Sequence, residues 1–406
     1  MAGFVTHLEG AIDGTVLSAD CVQTVHEGRP LWVRYDLEGV RGAVSREDLL
    51  GRAPDLWRYR ELLPVGPEDE VVTLGEGMTP LLGCERLAGR YGVGEVWVKD
   101  ESQLPTGSFK ARGQAVAITM ARKFGIGRVA IPTNGNAGGA MAAYAARAGM
   151  EAYVFMPEDT PTINAYECAA AGARTFLVNG LINDCGRVVA EGVEAMGWFD
   201  ISTLKEPYRI EGKKTMGLEL AEQMGWVLSD VILYPTGGGT GLIGMWKAFE
   251  ELRAIGWLDS ERMPRMVAVQ SSGCCPIVTA YEKGDRFAEW HEGAHTVAAG
   301  IRVPGAVGDF MILDALRESK GTAIAVEEDR IRDWMFAGAR MTGISLCPEA
   351  GACVGALESL SADGWISPTD RVVIFNTGAM QKYPEAMASD VPVLDCHAAI
   401  DYEALG

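Results

Sequence analysis

Basic residues are in short supply: 36 Lys and Arg stand against 55 Asp and Glu, a formal net charge of −19 at pH 7 and a pI near 4.8. Such a balance repels phosphodiester backbones and anionic headgroups, which excludes nucleic acid and an anionic membrane as the main partner. No CxxC occurs, and the nine cysteines are scattered, with Cys274 and Cys275 adjacent. That is neither a disulfide framework nor a cysteine-rich zinc site, and it reads as reduced thiols in a cytoplasmic protein. No apolar run approaches the length of a membrane span, and the N-terminus has no basic-then-apolar leader, so a soluble chain is expected. Histidine is scarce too, five in all. His291-Glu292-Gly293-Ala294-His295 carries the letters of H-E-x-x-H, but Gly293 weakens the helix that zinc would need, and only His397 follows. Two loop histidines are the plainer reading, and no metal is expected.

Glycine, by contrast, is plentiful: 50 residues, gathered in turns between apolar runs, beside a hydrophobic content of 48%. This predicts an α/β protein of two or three domains, with backbone brought close to ligands. Short apolar runs at 96–98, 129–131, 152–156, 175–178, 231–234, 266–270 and 371–376 read as strands. Helical spacing covers 115–124, 140–148, 162–171, 185–196, 217–224, 242–255, 331–341 and 351–360. The alternation implies parallel twisted sheets with right-handed crossovers, flanked by helices. Residues 1–66 are the least informative, with a strand at 31–37 and a helix-like 57–63; they are expected to form an N-terminal extension. A large domain is expected over 67–114 and 206–406, and a smaller mobile one over 115–205. The segment 293–308 is long, Gly- and Ala-rich and without period, which in a compact domain points to function.

Four stretches carry chemistry. Lys110 follows Thr106-Gly107-Ser108-Phe109 and opens a helix, whose positive end disfavours an ammonium and lowers the amine's pKa. A neutral amine is what a Schiff-base nucleophile needs, although a solvated turn lysine has the same letters. Gly237, Gly238, Gly239, Thr240 and Gly241 lie between a strand and a helix, where amide N–H groups and the helix dipole cradle an anion. Gly239, Gly241 and Gly244 also spell GxGxxG, but Gln270-Ser271-Ser272 stands where a dinucleotide fold needs a ribose-binding carboxylate. Thr133-Asn134-Gly135-Asn136-Ala137 has the same strand-to-helix placement, and it is either an anion and amide site or an ordinary capping turn. Asn376-Thr377-Gly378 ends the last strand, and Cys347-Pro348-Glu349 opens a helix that Glu349 favours by charge.

The stretch 99–113, the 133–138 loop, the 236–241 loop and the 376–383 turn together resemble fold-type II pyridoxal-phosphate enzymes, most of all the threonine synthase branch, over roughly 57–385. That resemblance implies a two-domain α/β fold clamping pyridoxal 5′-phosphate, with Lys110 as the aldehyde-bound lysine and acid/base. It implies Asn136 at the 3′-oxygen, Gly237 to Gly241 at the phosphate and Thr377 at the pyridine nitrogen. Thr79, Thr133, Asn134, Gly135 and Ala137 would meet the amino-acid substrate. The implied reaction is a lyase-type conversion of O-phosphohomoserine to threonine. A β-eliminating ammonia-lyase of the serine/threonine dehydratase or diaminopropionate type, or a β-replacing synthase, is the alternative, and a non-catalytic binding regulator is the third class. Asn134 and Met380-Gln381 depart from the branch pattern, which bears on the substrate. A phosphorylated substrate needs a second anion site, for which Lys99, Arg112, Lys213, Lys214 and Lys382 are candidates. A homodimer is expected.

Overall fold

The strands Val5–Gly10 (β1), Val16–Leu17 (β2) and Leu31–Tyr35 (β3) form a small antiparallel sheet in the order β2-β1-β3. The computed structural model that shows this describes residues 3–387 together with 391, 393–395, 397–398, 400 and 402. Leu8, Leu31 and Val33 turn inward from this sheet and share a core with Ala115, Val116 and Ile118 of the helix Lys110–Lys123. Alternation along β1 and β3, polar out and apolar in, is what permits one wet face.

Two larger sheets follow. The strands Leu81–Gly83 (β4) and Glu95–Asp100 (β5) belong to one; Arg128–Pro132 (β6), Glu151–Pro157 (β7), Arg174–Val178 (β8) and Phe199–Asp200 (β9) make the other, ordered β8-β7-β6-β9 and all parallel. The chain then returns to the first with Val231–Pro235 (β10), Arg265–Ser271 (β11), Thr322–Val326 (β12) and Arg371–Asn376 (β13), giving six strands in the order β12-β11-β10-β13-β5-β4. Every neighbour pair in that sheet is parallel except β4 with β5, where Leu81 faces Lys99 antiparallel. β10 is apolar at each step and wholly buried because helices cover both its faces.

The expected strands all form. The helix Lys110–Lys123 starts five residues before the apolar periodicity does, and Leu56–Leu62 forms as a 3₁₀ helix whose first turn is capped by the Asp55 carboxylate. The helix expected at 217 begins instead at Tyr208. Its first half contains Arg209, Glu211, Lys213 and Lys214, all buried, and these charged letters interrupt the apolar period that would mark a helix in the sequence. The helices Pro276–Lys283 and Asp309–Glu318 and the strand β12 had no counterpart in the sequence reading. Among the described residues no helix is long and apolar enough to cross a membrane.

Candidate active site

The chain turns sharply between β5 and the helix Lys110–Lys123, and two backbone bonds pin that corner to the end of β13. Phe109 N–H donates to the Thr377 carbonyl at 3.0 Å, and Ala379 N–H donates to the Gly107 carbonyl at 2.8 Å. Lys110 is thereby set beside Thr377, and its side chain lines a cavity of about 590 Å³ that the ends of β6, β10 and β13 all reach. Burial, and after it the Arg209 guanidinium, push the Lys110 amine down to about 7, against an opposing pull from Glu349.

Beyond β10 the chain passes through Gly237, Gly238 and Gly239 into the helix Thr240–Ala254. Gly239 has φ +68°, and a Cβ there would stand 2.2 Å from Ile312 Cδ1. A Cβ on Gly237 would stand 2.9 Å from the Gly300 carbonyl. The N–H groups of Gly237, Gly238 and Gly239 have no acceptor among the described residues, and they sit at a helix start, so they suit an anion. Gly241 is set back from the cavity. A Cβ there would meet Tyr234 Oη at 1.9 Å, and one on Gly244 would meet Lys214 N at 2.8 Å. Those two glycines allow close packing, which accounts for their place in the GxGxxG spelling.

At the end of β6, Thr133 shapes the loop: its hydroxyl accepts from Gly135 N–H at 3.0 Å and from Gly138 N–H at 3.3 Å. Gly135, at φ +148°, lies so close to Asn164 that a Cβ would be 2.9 Å from its Nδ2. Asn134, Gly135, Asn136 and Ala137 all line the cavity with Thr133. Asn136 Nδ2 donates to Tyr383 Oη at 3.0 Å, and its Oδ1 has no partner among the described residues. Thr377 is 6% exposed, its Oγ1 lies 3.7 Å from Cys347 Sγ, and Cys347 N–H donates to Asn376 Oδ1 at 3.0 Å. Glu349 lines the cavity as well; its Oε1 accepts from Gly300 N–H at 2.7 Å, its Oε2 has no partner, and burial pushes its carboxyl up.

Thr79 lies elsewhere. Its hydroxyl donates to Glu101 at 2.7 Å inside a buried ionic cluster, away from the cavity. The expected second anion site does not form from the five cations named for it either. Lys99 pairs with Glu219, Arg112 with Glu101 and Glu219, Lys214 with Glu211 and Glu251, and Lys382 with Glu167, while Lys213 is buried behind Phe109. Three other cations line the cavity instead: Arg187, Lys205 and Arg302. Sequence spacing gave no sign that these three would line one cavity, although Arg302 falls in the unperiodic segment 293–308, whose residues 299–303 and 305–307 also line the cavity. His295 lies in that segment and His291 two residues before it, both outside any helix, and Gly293 between them has φ +65°.

An amine held near 7, a glycine turn with free amides at a helix start and an asparagine with an unpartnered amide oxygen fit a phosphorylated aldehyde such as pyridoxal phosphate. The comparisons agree. A family model described as pyridoxal-phosphate dependent enzyme matches residues 72–378. The threonine synthase of Methanocaldococcus jannaschii is 32% identical over 389 residues, 95% of this chain and 94% of that one. The threonine synthase of Methanosarcina acetivorans is 35% identical, over 87% of this chain and 86% of that one. The crystal structure of diaminopropionate ammonia lyase from Escherichia coli superposes with a TM-score of 0.67 at 21% identity, covering 77% of this chain and 88% of that chain, a likeness of fold.

Proposed function

The chain belongs to the pyridoxal-phosphate dependent enzyme family, in its threonine synthase branch, and from that membership we propose that it converts O-phosphohomoserine and water to threonine and inorganic phosphate. The bound cofactor supplies an electron sink that makes the substrate's α-hydrogen removable. Lys110 Nζ would hold the cofactor and would take the substrate's α-proton and return it, a role for which an amine near 7 is suited. The amides of Gly237, Gly238 and Gly239 and the start of the helix at Thr240 bind the cofactor phosphate. Asn136 meets the ring oxygen; turning its amide by half lets the Tyr383 hydroxyl donate to Oδ1 and frees Nδ2 as a donor. Thr377 meets the ring nitrogen with a hydroxyl, which cannot hold that nitrogen protonated as a carboxylate would. Thr133, Asn134, Gly135 and Ala137 surround the substrate carboxylate.

The observation that supports the reading is that one cavity is lined both by the glycine turn and by the cations Arg187, Lys205 and Arg302. A phosphorylated amino acid on a phosphorylated cofactor needs both. In the same reading 115–205 moves as a smaller domain over 67–114 and 206–406, behind an extension at 1–66, and the protein works in the cytoplasm as a homodimer. The test is product identification with O-phosphohomoserine and with serine, threonine and diaminopropionate. Phosphate and threonine in equal amounts are expected; ammonia from an unphosphorylated amino acid, with no phosphate released, replaces the synthase by a lyase.

A further inference from the structure

The helices Lys110–Lys123 and Tyr208–Gln223 meet at two glycines. A Cβ on Gly212 would lie 2.1 Å from the Arg112 carbonyl oxygen, and one on Gly113 would lie 3.1 Å from the Arg209 carbonyl and 3.0 Å from Lys213 Cε. This approach carries Lys213 beneath the start of the first helix, where it is 0% exposed. Its Nζ donates to the Phe109 carbonyl and lies 4.1 Å from the centre of the Phe109 ring, the ring that Lys110 Nζ approaches to 4.3 Å. The charged groups facing it are Lys110, Arg209, Arg112 and Glu101, and Glu101 is already paired with Arg112. Burial beside Lys110, Arg209 and Arg112, with Glu101 committed to Arg112, pushes the Lys213 amine well below its ordinary value, and the amine serves as a hydrogen-bond donor to the Phe109 carbonyl.

The Phe109 peptide is therefore gripped from both sides, its N–H by the Thr377 carbonyl at 3.0 Å and its C=O by Lys213. We infer that Lys213 is a positioning residue, which holds the Phe109 carbonyl and so fixes the neighbouring Lys110 against the end of β13. The inference rests on the reading of Lys110 as the cofactor lysine and adds what aims it.

Glutamine and methionine at 213 have equal length and differ in the donor, so Lys213→Gln and Lys213→Met form the test. Full-length wild type and both variants are stripped of cofactor, and growth of the visible band of the lysine-linked cofactor is followed after pyridoxal phosphate is returned, with thermal melts as the folding control. Lys213→Met is expected to form the band at least about tenfold more slowly and to lose kcat more than KM, while Lys213→Gln stays within about threefold of wild type. Equal behaviour of the two variants, whether both normal or both slow, overturns the donor role, and so does a lowered melting temperature with normal band growth. Borohydride reduction of wild type that labels a lysine other than Lys110 overturns the site reading itself, an outcome distinct from failure of the Lys213 role.

Discussion

Lys110 can act as a base and nucleophile at neutral pH because burial and Arg209 hold its amine at about 7, where a solvated lysine sits at 10.5. The sign follows: below about 7 the amine is protonated and inert, and above it the amine is free. In cofactor-stripped protein, acylation of Lys110 read by mass spectrometry should therefore rise with pH and level off after a midpoint near 7; a midpoint near 10.5 would make it an ordinary surface lysine. Glu349 pulls the other way, so Glu349→Gln should move that midpoint to lower pH, and an unmoved midpoint would separate the two groups. At this scale the sequence showed the lysine and its helix start, and it gave the correct direction of the shift. It did not show Arg209 or Glu349 as causes, because both are brought near by other elements.

A glycine at a helix boundary is informative only through what stands beside it. Gly239 and Gly149 both take a left-handed φ, +68° and +70°, yet a Cβ on Gly149 would meet nothing within 4 Å and one on Gly239 would overlap Ile312. Gly149→Ala should cost only the backbone strain, about 1–2 kcal/mol in a melt, with cofactor content unchanged. Gly239→Ala should lose cofactor retention and activity, measured by absorbance after gel filtration; full retention would remove the turn from the phosphate site. The strands were legible as apolar runs because β10 and its neighbours are covered on both faces, which leaves no polar interruption to misread. The first half of the helix Tyr208–Gln223 was not legible, because its buried Glu211, Lys213, Lys214 and Arg209 look like a solvent face until their partners are known.

Across the whole molecule, buried charge ties segments far apart in sequence. Lys99 of β5, Glu101, Arg112 and Glu219 form one cluster; Glu211, Lys214, Lys247 and Glu251 form another, which Tyr35 of β3 joins by donating to Glu211 at 2.7 Å. Burial would raise the Glu219 carboxyl, but Arg112 and Lys99 beside it bring it down to about 2. Its contribution is thus complete above the ordinary 4.5 and is lost as pH falls through about 2. Glu219→Gln leaves the buried Lys99 without its ion-pair partner and Arg112 with Glu101 alone, and should cost about 3–5 kcal/mol in denaturant melts at pH 7; a cost below 1 kcal/mol would show the cluster to be wet. Pairing of this kind is also why Lys99, Arg112, Lys214 and Lys382, named as candidates from the sequence, do not line the cavity: a lysine's letter does not say whether a carboxylate already holds it. The cations left to the cavity have weaker claims on them. Lys205 is 3.2 Å from Asp200, Arg302 is 3.6 Å from Asp159 and Arg187 is 3.1 Å from Glu191, all at partly exposed positions where water screens the pair. A substrate phosphate entering the cavity can outcompete such partners. Lys205→Gln and Arg302→Gln should each raise KM for O-phosphohomoserine about tenfold while cofactor content and melting temperature hold, and inorganic phosphate should inhibit competitively. If phosphate is without effect and both variants keep the wild-type KM, Lys205 and Arg302 do not hold the substrate phosphate.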